Sequence, residues 1–398
     1  MKYCTFVLII AISVTVSAAQ DLSLPLPGGP YAVGTTRLVL VDGERPEEFT
    51  ADPGDRREIP VRAWYPSDRA GNLPDAPYYE GGDRIVSRFG YPPALADLET
   101  HSAFDIPVSS KKQAFPVVLF NHGWGEHAVQ NTVLMEELAS RGYVVFSITH
   151  PYEAKFWVYP DGSLRFLDMQ SPRFIGISAE QNRPGMVGLF QEMFTTRGAG
   201  AQEDLFRRTV EAMPIMLGES PRMWAADIGF FIDRLDSLNR NETHFKDKLD
   251  LDKIGVMGMS MGGIAAGQAC IGDRRIKAAL NIDGGLFGDL PDTVITQPTM
   301  FMGSRRFSGY DSVFAAHVSG DTYVVTIPEA DHYDFSDFTL INRNHPMMGS
   351  VEGTRMLEIV NAYSVAFLDF YLKGRESDLL KGAARPYPEV DFKVFRRP

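Results

Sequence analysis

Apolar positions along the chain follow two rhythms. Phe115–Phe120 is an unbroken apolar run, and Tyr143–Thr149, Lys253–Met257, Ile276–Ile282, Pro298–Met302 and Tyr323–Ile327 are further short, apolar-rich runs. Such runs, without polar alternation, read as strands covered on both faces. Between them the spacing turns helical. A helix is expected over Gln130–Arg141, ended by Gly142, and another over Met223–Leu238, with Trp224, Ile228, Phe231, Ile232 and Leu235 on one stripe. Thr354–Leu372 predicts a closing helix. Strands alternating with helices imply an α/β fold, a mostly parallel sheet with helices on both faces and its working loops at the carboxyl ends of the strands.

The flanking stretches differ. Thr36–Val41 and Ile59–Tyr65 predict an antiparallel pair, and residues 67–113 carry little periodic signal. Lys155–Ser220 reads as an insertion that forms either a lid or pocket wall or a plain cover of the core, with Pro160-Asp161-Gly162 marking a turn. At the start, Lys2 precedes an apolar run from Phe6 to Val16 and then Ser17, Ala18 and Ala19. This is the pattern of a signal peptide over residues 1–19, so the domain is expected over residues 20–398 and the protein is expected to be secreted or periplasmic. Cleavage removes Cys4 and leaves Cys270 without an intramolecular partner.

Composition narrows the classes. Of 398 residues, 44% are hydrophobic and 23% charged, which argues against a disordered or multi-span membrane chain. The net charge of −12 gives no basic footprint for nucleic acid. It also disfavours lasting adhesion to anionic lipid, leaving at most transient contact with a lipid surface.

The candidate chemistry begins at Gly258-Met259-Ser260-Met261-Gly262, the G-x-S-x-G pattern of a nucleophile elbow, with a strand before it and a helix after it. The sharp turn favours glycine on either side of the serine. Asn121-His122-Gly123-Trp124-Gly125 follows the first buried strand, where acyl transfer needs fixed N–H donors for an oxyanion. The expected donors are the backbone N–H groups of Trp124 and Met261. His122 is expected to shape that loop by hydrogen bonding. His122, His127 and His150 lack the spacing of a metal site, so no metal and no cofactor are expected. Downstream of an elbow serine the order is acid, then histidine. His332, after the strand Tyr323–Ile327, is the expected base, ahead of His317 and His345. Asp283, at the end of Ile276–Ile282, is the expected acid, with Asp311 as competitor. Asp331, Asp334 and Asp337 are read as surface or capping residues. Trp157, Phe190 and Met259 are candidate pocket residues, because aromatic and methionine side chains make an adaptable apolar lining.

These residues resemble the platelet-activating factor acetylhydrolase family, within the α/β-hydrolases that include dienelactone-hydrolase-like and polyester-degrading enzymes. The likeness rests on Gly29-Pro30-Tyr31-Ala32-Val33-Gly34, Val61-Arg62-Ala63-Trp64-Tyr65-Pro66-Ser67, Phe115 to Gly125, the elbow, and His332-Tyr333-Asp334-Phe335-Ser336-Asp337-Phe338. The resemblance implies an α/β-hydrolase fold and a Ser260–Asp283–His332 triad. It also implies calcium-independent cleavage of short or oxidised acyl chains from phospholipids, so the expected substrate is a small-molecule or lipid ester. Two features depart from that family. Met259 and Met261 flank the serine where His and Phe are frequent, and Lys155–Ser220 is not matched to the family pattern. A general or polyester-degrading esterase is the alternative enzyme, and a non-catalytic secreted binding protein is the reading from another class.

Overall fold

The computed structural model describes residues 22–68, 73–241 and 244–397. The expected leader and Cys4 lie outside the described residues. In chain order, β1 (Ala32–Pro46) and β2 (Arg56–Ser67) pair antiparallel in continuous register from Ala32↔Ser67 to Asp42↔Arg57. Next come α1 (Gly82–Phe89), the short β3 (Ser102–Phe104), β4 (Phe115–Asn121), α2 (Thr132–Ser140) and β5 (Val144–Ile148). The stretch read as an insertion is itself regular. It holds a hairpin, β6 (Phe156–Val158) and β7 (Leu164–Phe166), then α3 (Pro172–Gln181), α4 (Met186–Thr195) and α5 (Ala199–Ala212). The hairpin turns at Gly162, whose φ of +82° needs a residue without a side chain. The chain then runs through α6 (Ser220–Asn241), β8 (Leu249–Met259), α7 (Met261–Gly272), β9 (Ile276–Ile282), β10 (Thr299–Ser304), α8 (Asp311–Ala316) and β11 (Thr322–Ile327). It ends with α9 (Phe338–Ile341), α10 (Gly353–Lys373) and β12 (Asp391–Phe395).

Ten strands form one sheet in the order β12-β11-β10-β9-β8-β4-β5-β2-β1-β3. From β11 to β5 every neighbour is parallel, and β12 and β2 add antiparallel flanks. The buried parallel strands explain the continuous apolar runs, because each contributes to two cores. In β4, Phe115, Val117 and Leu119 face the core shared with α5, α6, α7 and α8, while Val118 and Phe120 face α2 and α10. The architecture is an α/β-hydrolase fold.

Close backbone approach fixes the centre. A Cβ on Gly262 would lie 2.0 Å from the Asn121 carbonyl oxygen, and one on Gly258 would lie 2.4 Å from the Gly262 carbonyl carbon. Only glycine lets the start of α7 dock against the ends of β4 and β8. Gly262→Ala is therefore expected to lower urea-unfolding stability by about 2 kcal/mol or more, as overpacking against an immovable backbone does. Gly272→Ala, with open space at its Cβ, is expected to stay within about 1 kcal/mol of wild type.

Candidate active site

Ser260 sits between the last residue of β8 and the first of α7, with φ 56° and ψ −120°. That conformation is strained for a residue with a side chain. The surrounding backbone enforces it. The Ser260 N–H donates to Ile282 O at 2.7 Å, and the Ser260 carbonyl accepts from Gly263 and Ile264 at 3.0 and 3.1 Å. Asp283, just past the end of neighbouring β9, is strained in the same sense, with φ 50°, and its N–H donates to Met302 O at 2.7 Å. Gly284 brings the two turns together, since a Cβ there would lie 2.7 Å from Ser260 O. Two strained non-glycine residues thus stand at the carboxyl ends of adjacent strands.

The Asp283 carboxylate is buried and bonded at both oxygens. Oδ2 lies 2.6 Å from His332 Nδ1, and Oδ1 accepts from the Ser304 N–H at 2.7 Å. Burial pushes the Asp283 pKa up. The His332 bond and charge, the positive charge of Arg306 and the Ser304 N–H outweigh it, and the net shift is below the usual carboxylate value. His332 follows β11 on a single turn that Asp331 caps, with Asp334 closing a reciprocal capping box. Its side chain is 12% exposed.

The loop behind His332 differs from the sequence expectation. Asp331 and Asp334 do cap, but Asp331, Asp334 and Asp337 are all buried rather than on the surface. Asp334 accepts from Arg343 at 2.6 Å. Asp337 accepts from Tyr78 Oη at 3.2 Å and from the Val133 N–H, and Asn131 Nδ2 donates to Phe335 O at 2.6 Å. These bonds pin the histidine loop to the start of α2. The other histidines are engaged elsewhere: His317 nitrogens lie 2.9 and 3.0 Å from Val313 O and Pro291 O, and His345 packs on Tyr333. Asp311 pairs with Lys393 on β12 at 2.5 Å.

On the other side of Ser260 lies the loop after β4. A Cβ on Gly123 would be 3.5 Å from the Ser260 Cβ. The Gly123 N–H donates to Gln130 Oε1 at 2.8 Å, and Gln130 Nε2 donates to Met259 Sδ at 2.7 Å. The His150 N–H donates to His122 Nε2 at 3.1 Å, so the His122 proton is on Nδ1, which donates to Gly123 O at 2.7 Å. Burial, then the neighbouring His150, pushes the His122 pKa down to about 3, so the ring stays neutral. Gly123 C=O and Trp124 N–H share one planar trans peptide and point opposite ways. Holding the carbonyl therefore aims the N–H. Among the described residues, neither the Trp124 N–H nor the Met261 N–H donates to a protein acceptor.

His150 rests in turn on buried charge. Its Nδ1 lies 2.8 Å from Asp227 Oδ2, and its ring stacks on Trp224 at 3.9 Å. Asp227 also binds Arg57 at 2.7 Å and Arg45 at 2.6 Å. Burial raises the Asp227 pKa, but the Arg57 ion pair prevails and holds it well below the ordinary range. Glu153 accepts from Trp224 Nε1 and Ser220 Oγ, both at 2.7 Å, and its backbone carbonyl takes the Gly125 N–H. Sequence reasoning passed over Asp227 and Gln130. The signal for Asp227 was a charge inside the apolar stripe of α6, between Trp224 and Ile228.

The candidate pocket residues separate. Met259 is buried in the core facing α2 and α10, where it braces Gln130. Trp157 lines a cavity of about 40 Å³ with Arg62, Glu80 and Thr149, which none of Ser260, Asp283 and His332 lines. Phe190, on α4, is partly buried against the other core. The inserted helices span the site: Phe174 of α3 stacks on Trp124 at 6.1 Å, and Phe194 of α4 lies 5.9 Å from the guanidinium carbons of Arg305 and Arg306.

Known proteins are similar over most of this architecture. A family model described as platelet-activating factor acetylhydrolase, isoform II, matches residues 16–164 and 232–383. The platelet-activating factor acetylhydrolase of Gallus gallus is 22% identical, covering 89% of this chain and 85% of that protein. A probable 1-alkyl-2-acetylglycerophosphocholine esterase of Arthroderma benhamiae is 21% identical over 96% of this chain and 97% of its own length. Among solved structures, a ferulic acid esterase from Streptomyces cinnamoneus superposes with a TM-score of 0.72 at 25% identity, covering 94% of this chain and 99% of that one. The family match breaks off across residues 165–231, which carry α3, α4, α5 and the first half of α6.

Proposed function

The chain belongs to the platelet-activating factor acetylhydrolase family and is a carboxylic ester hydrolase; from that premise we propose a secreted or periplasmic serine esterase in which Ser260, His332 and Asp283 act in series on short-acyl esters. Asp283 holds the Nδ1–H of His332 and leaves Nε2 as the base. His332 takes the Ser260 hydroxyl proton as Oγ bonds to the ester carbonyl carbon. The negative oxygen is received by the N–H groups of Trp124 and Met261. His332 passes its proton to the departing alkoxide, leaving an acyl-enzyme. Water repeats the sequence, giving its proton to His332 and its oxygen to the acyl group, and Ser260 is restored.

The observation that carries this reading is the 2.6 Å contact of a buried, doubly held Asp283 with His332, beside a serine in a strained turn. The substrate proposed first is a phospholipid bearing an acetyl or other short acyl group at the sn-2 position, following the names of the relatives. A second reading is an esterase for aromatic or general esters, favoured by the likeness to the ferulic acid esterase. Comparing kcat/KM for a short-acyl glycerophospholipid, p-nitrophenyl butyrate and methyl ferulate decides between them: the first reading expects the phospholipid to lead, and a lead by methyl ferulate selects the second.

Ser260→Ala is expected to lower p-nitrophenyl butyrate turnover by about 10³-fold or more with an unchanged thermal melt, and full activity would rule the mechanism out. Asp283→Asn is expected to lose on the order of 10⁴ in kcat, because the histidine tautomer is no longer held. Asp311→Asn is expected to stay within about threefold of wild type, since Asp311 pairs with Lys393. The reverse ranking would reassign the acid.

A further inference from the structure

The turn after β10 carries two adjacent arginines with different fates. Arg305 is paired with Asp331, the cap of the His332 turn. Arg306 is partly buried and takes part in no ion pair among the described residues. Its position is set on both sides. Its backbone N–H donates to Ser304 Oγ at 3.3 Å, and the Ser304 N–H holds Asp283 Oδ1 at 2.7 Å. Its guanidinium carbon lies 5.9 Å from the Phe194 ring of α4. The charge therefore stands between Phe194 of the inserted helices and the buried acid, Asp283, whose ionised form it favours. Arg306 does not hydrogen-bond to Asp283, whose oxygens are taken by His332 and Ser304. It feels the charge of Asp283 but pairs with no carboxylate among the described residues, and its planar fork of donors suits a carboxylate or phosphate. The chain as a whole is acidic, at −12, so general attraction of anions is not what this position serves. Phe194 belongs to the stretch outside the family match.

We propose that Arg306 is a specificity residue that binds an anionic group on the substrate, a carboxylate or a phosphate a few atoms from the scissile ester, with Phe194 closing over the linking chain. The assignment rests on Ser260 being the nucleophile. The anion has two possible sources, the far end of the acyl chain or the departing alcohol, and two substrate pairs separate them. One compares the p-nitrophenyl monoester of glutaric acid with p-nitrophenyl butyrate. The other compares a short-acyl glycerophospholipid with the corresponding glycerol ester lacking phosphate.

In each pair the quantity read is the ratio of kcat/KM for the charged to the neutral ester, in wild type, Arg306→Gln and Arg306→Lys. In Arg306→Gln, one ratio is expected to fall about 10- to 100-fold, as losing a charge-assisted hydrogen bond does, mostly through KM. Lysine is expected to recover part of it. The pair that responds names the source. Loss of the Arg306 charge also lets the Asp283 pKa rise, but this moves the acid limb of both esters alike and cancels in the ratio. If neither ratio moves by more than about twofold, or if charged and neutral esters fall together, Arg306 only supports Asp283 and the inference fails. Ser260→Ala distinguishes that failure from failure of the underlying reading: if it silences every ester, the nucleophile stands even where Arg306 does not select charge.

Discussion

Backbone contact at the elbow is the constraint from which the rest follows. The end of β4, the end of β8 and the first turn of α7 meet with no room for a Cβ at Gly258 or Gly262. That contact does two things at once. It forces Ser260 into a left-handed turn, exposing its side chain at the carboxyl edge of the sheet, and it brings the loop after β4 to within touching distance of the serine. A looser junction would move Ser260 away from the loop after β4, and a site that relies on two such elements loses its geometry with small displacements. Strain at Ser260 and Asp283 is sustained because each N–H is committed to the neighbouring strand, at Ile282 and Met302.

Around that junction the protein commits buried charge to positioning. The group Arg57, Asp227 and Glu47 is almost wholly removed from water, yet each charge has an opposite within 3.1 Å. Replacing such a group by hydrocarbon is often neutral for stability, so its retention is better understood through what it orients. It fixes His150, which fixes the tautomer of His122, which fixes the Gly123–Trp124 peptide. On the opposite flank, Asp331, Asp334 and Asp337 do the same for the turn carrying His332. Both sets hold groups to a fraction of an ångström from elements that are themselves rigid, α2, α6 and β11.

The inserted helices pack against both the loop after β4 and the turn after β10. These helices are where the chain departs from the family model. Exposed Ile175, Val187 and Phe194 show that these helices bury only part of their apolar surface against the body.

Much was legible in the sequence. The run Ile276–Ile282 is β9 to the residue, and the other parallel strands fell within two residues at their carboxyl ends, because a strand buried on both faces must be apolar throughout. The elbow and the histidine loop were legible because glycine spacing and chain order are local properties. Other elements were silent. β3 has three residues and gains its identity only by pairing with β1, β12 is an edge strand with no fully buried side chain, and α1 lies in a stretch without period. Burial of Asp331, Asp334 and Asp337, the core-facing turn of Met259 and the separate cavity of Trp157 were decided by tertiary packing. Which of several acids bonds a given histidine, and which way a side chain beside a strained turn points, depends on groups from about fifty to more than a hundred residues away, and no local pattern encodes them. The unpaired state of Arg306 is of that kind: its identity is written in the chain, but that it forms no ion pair among the described residues is a property of the folded surface alone.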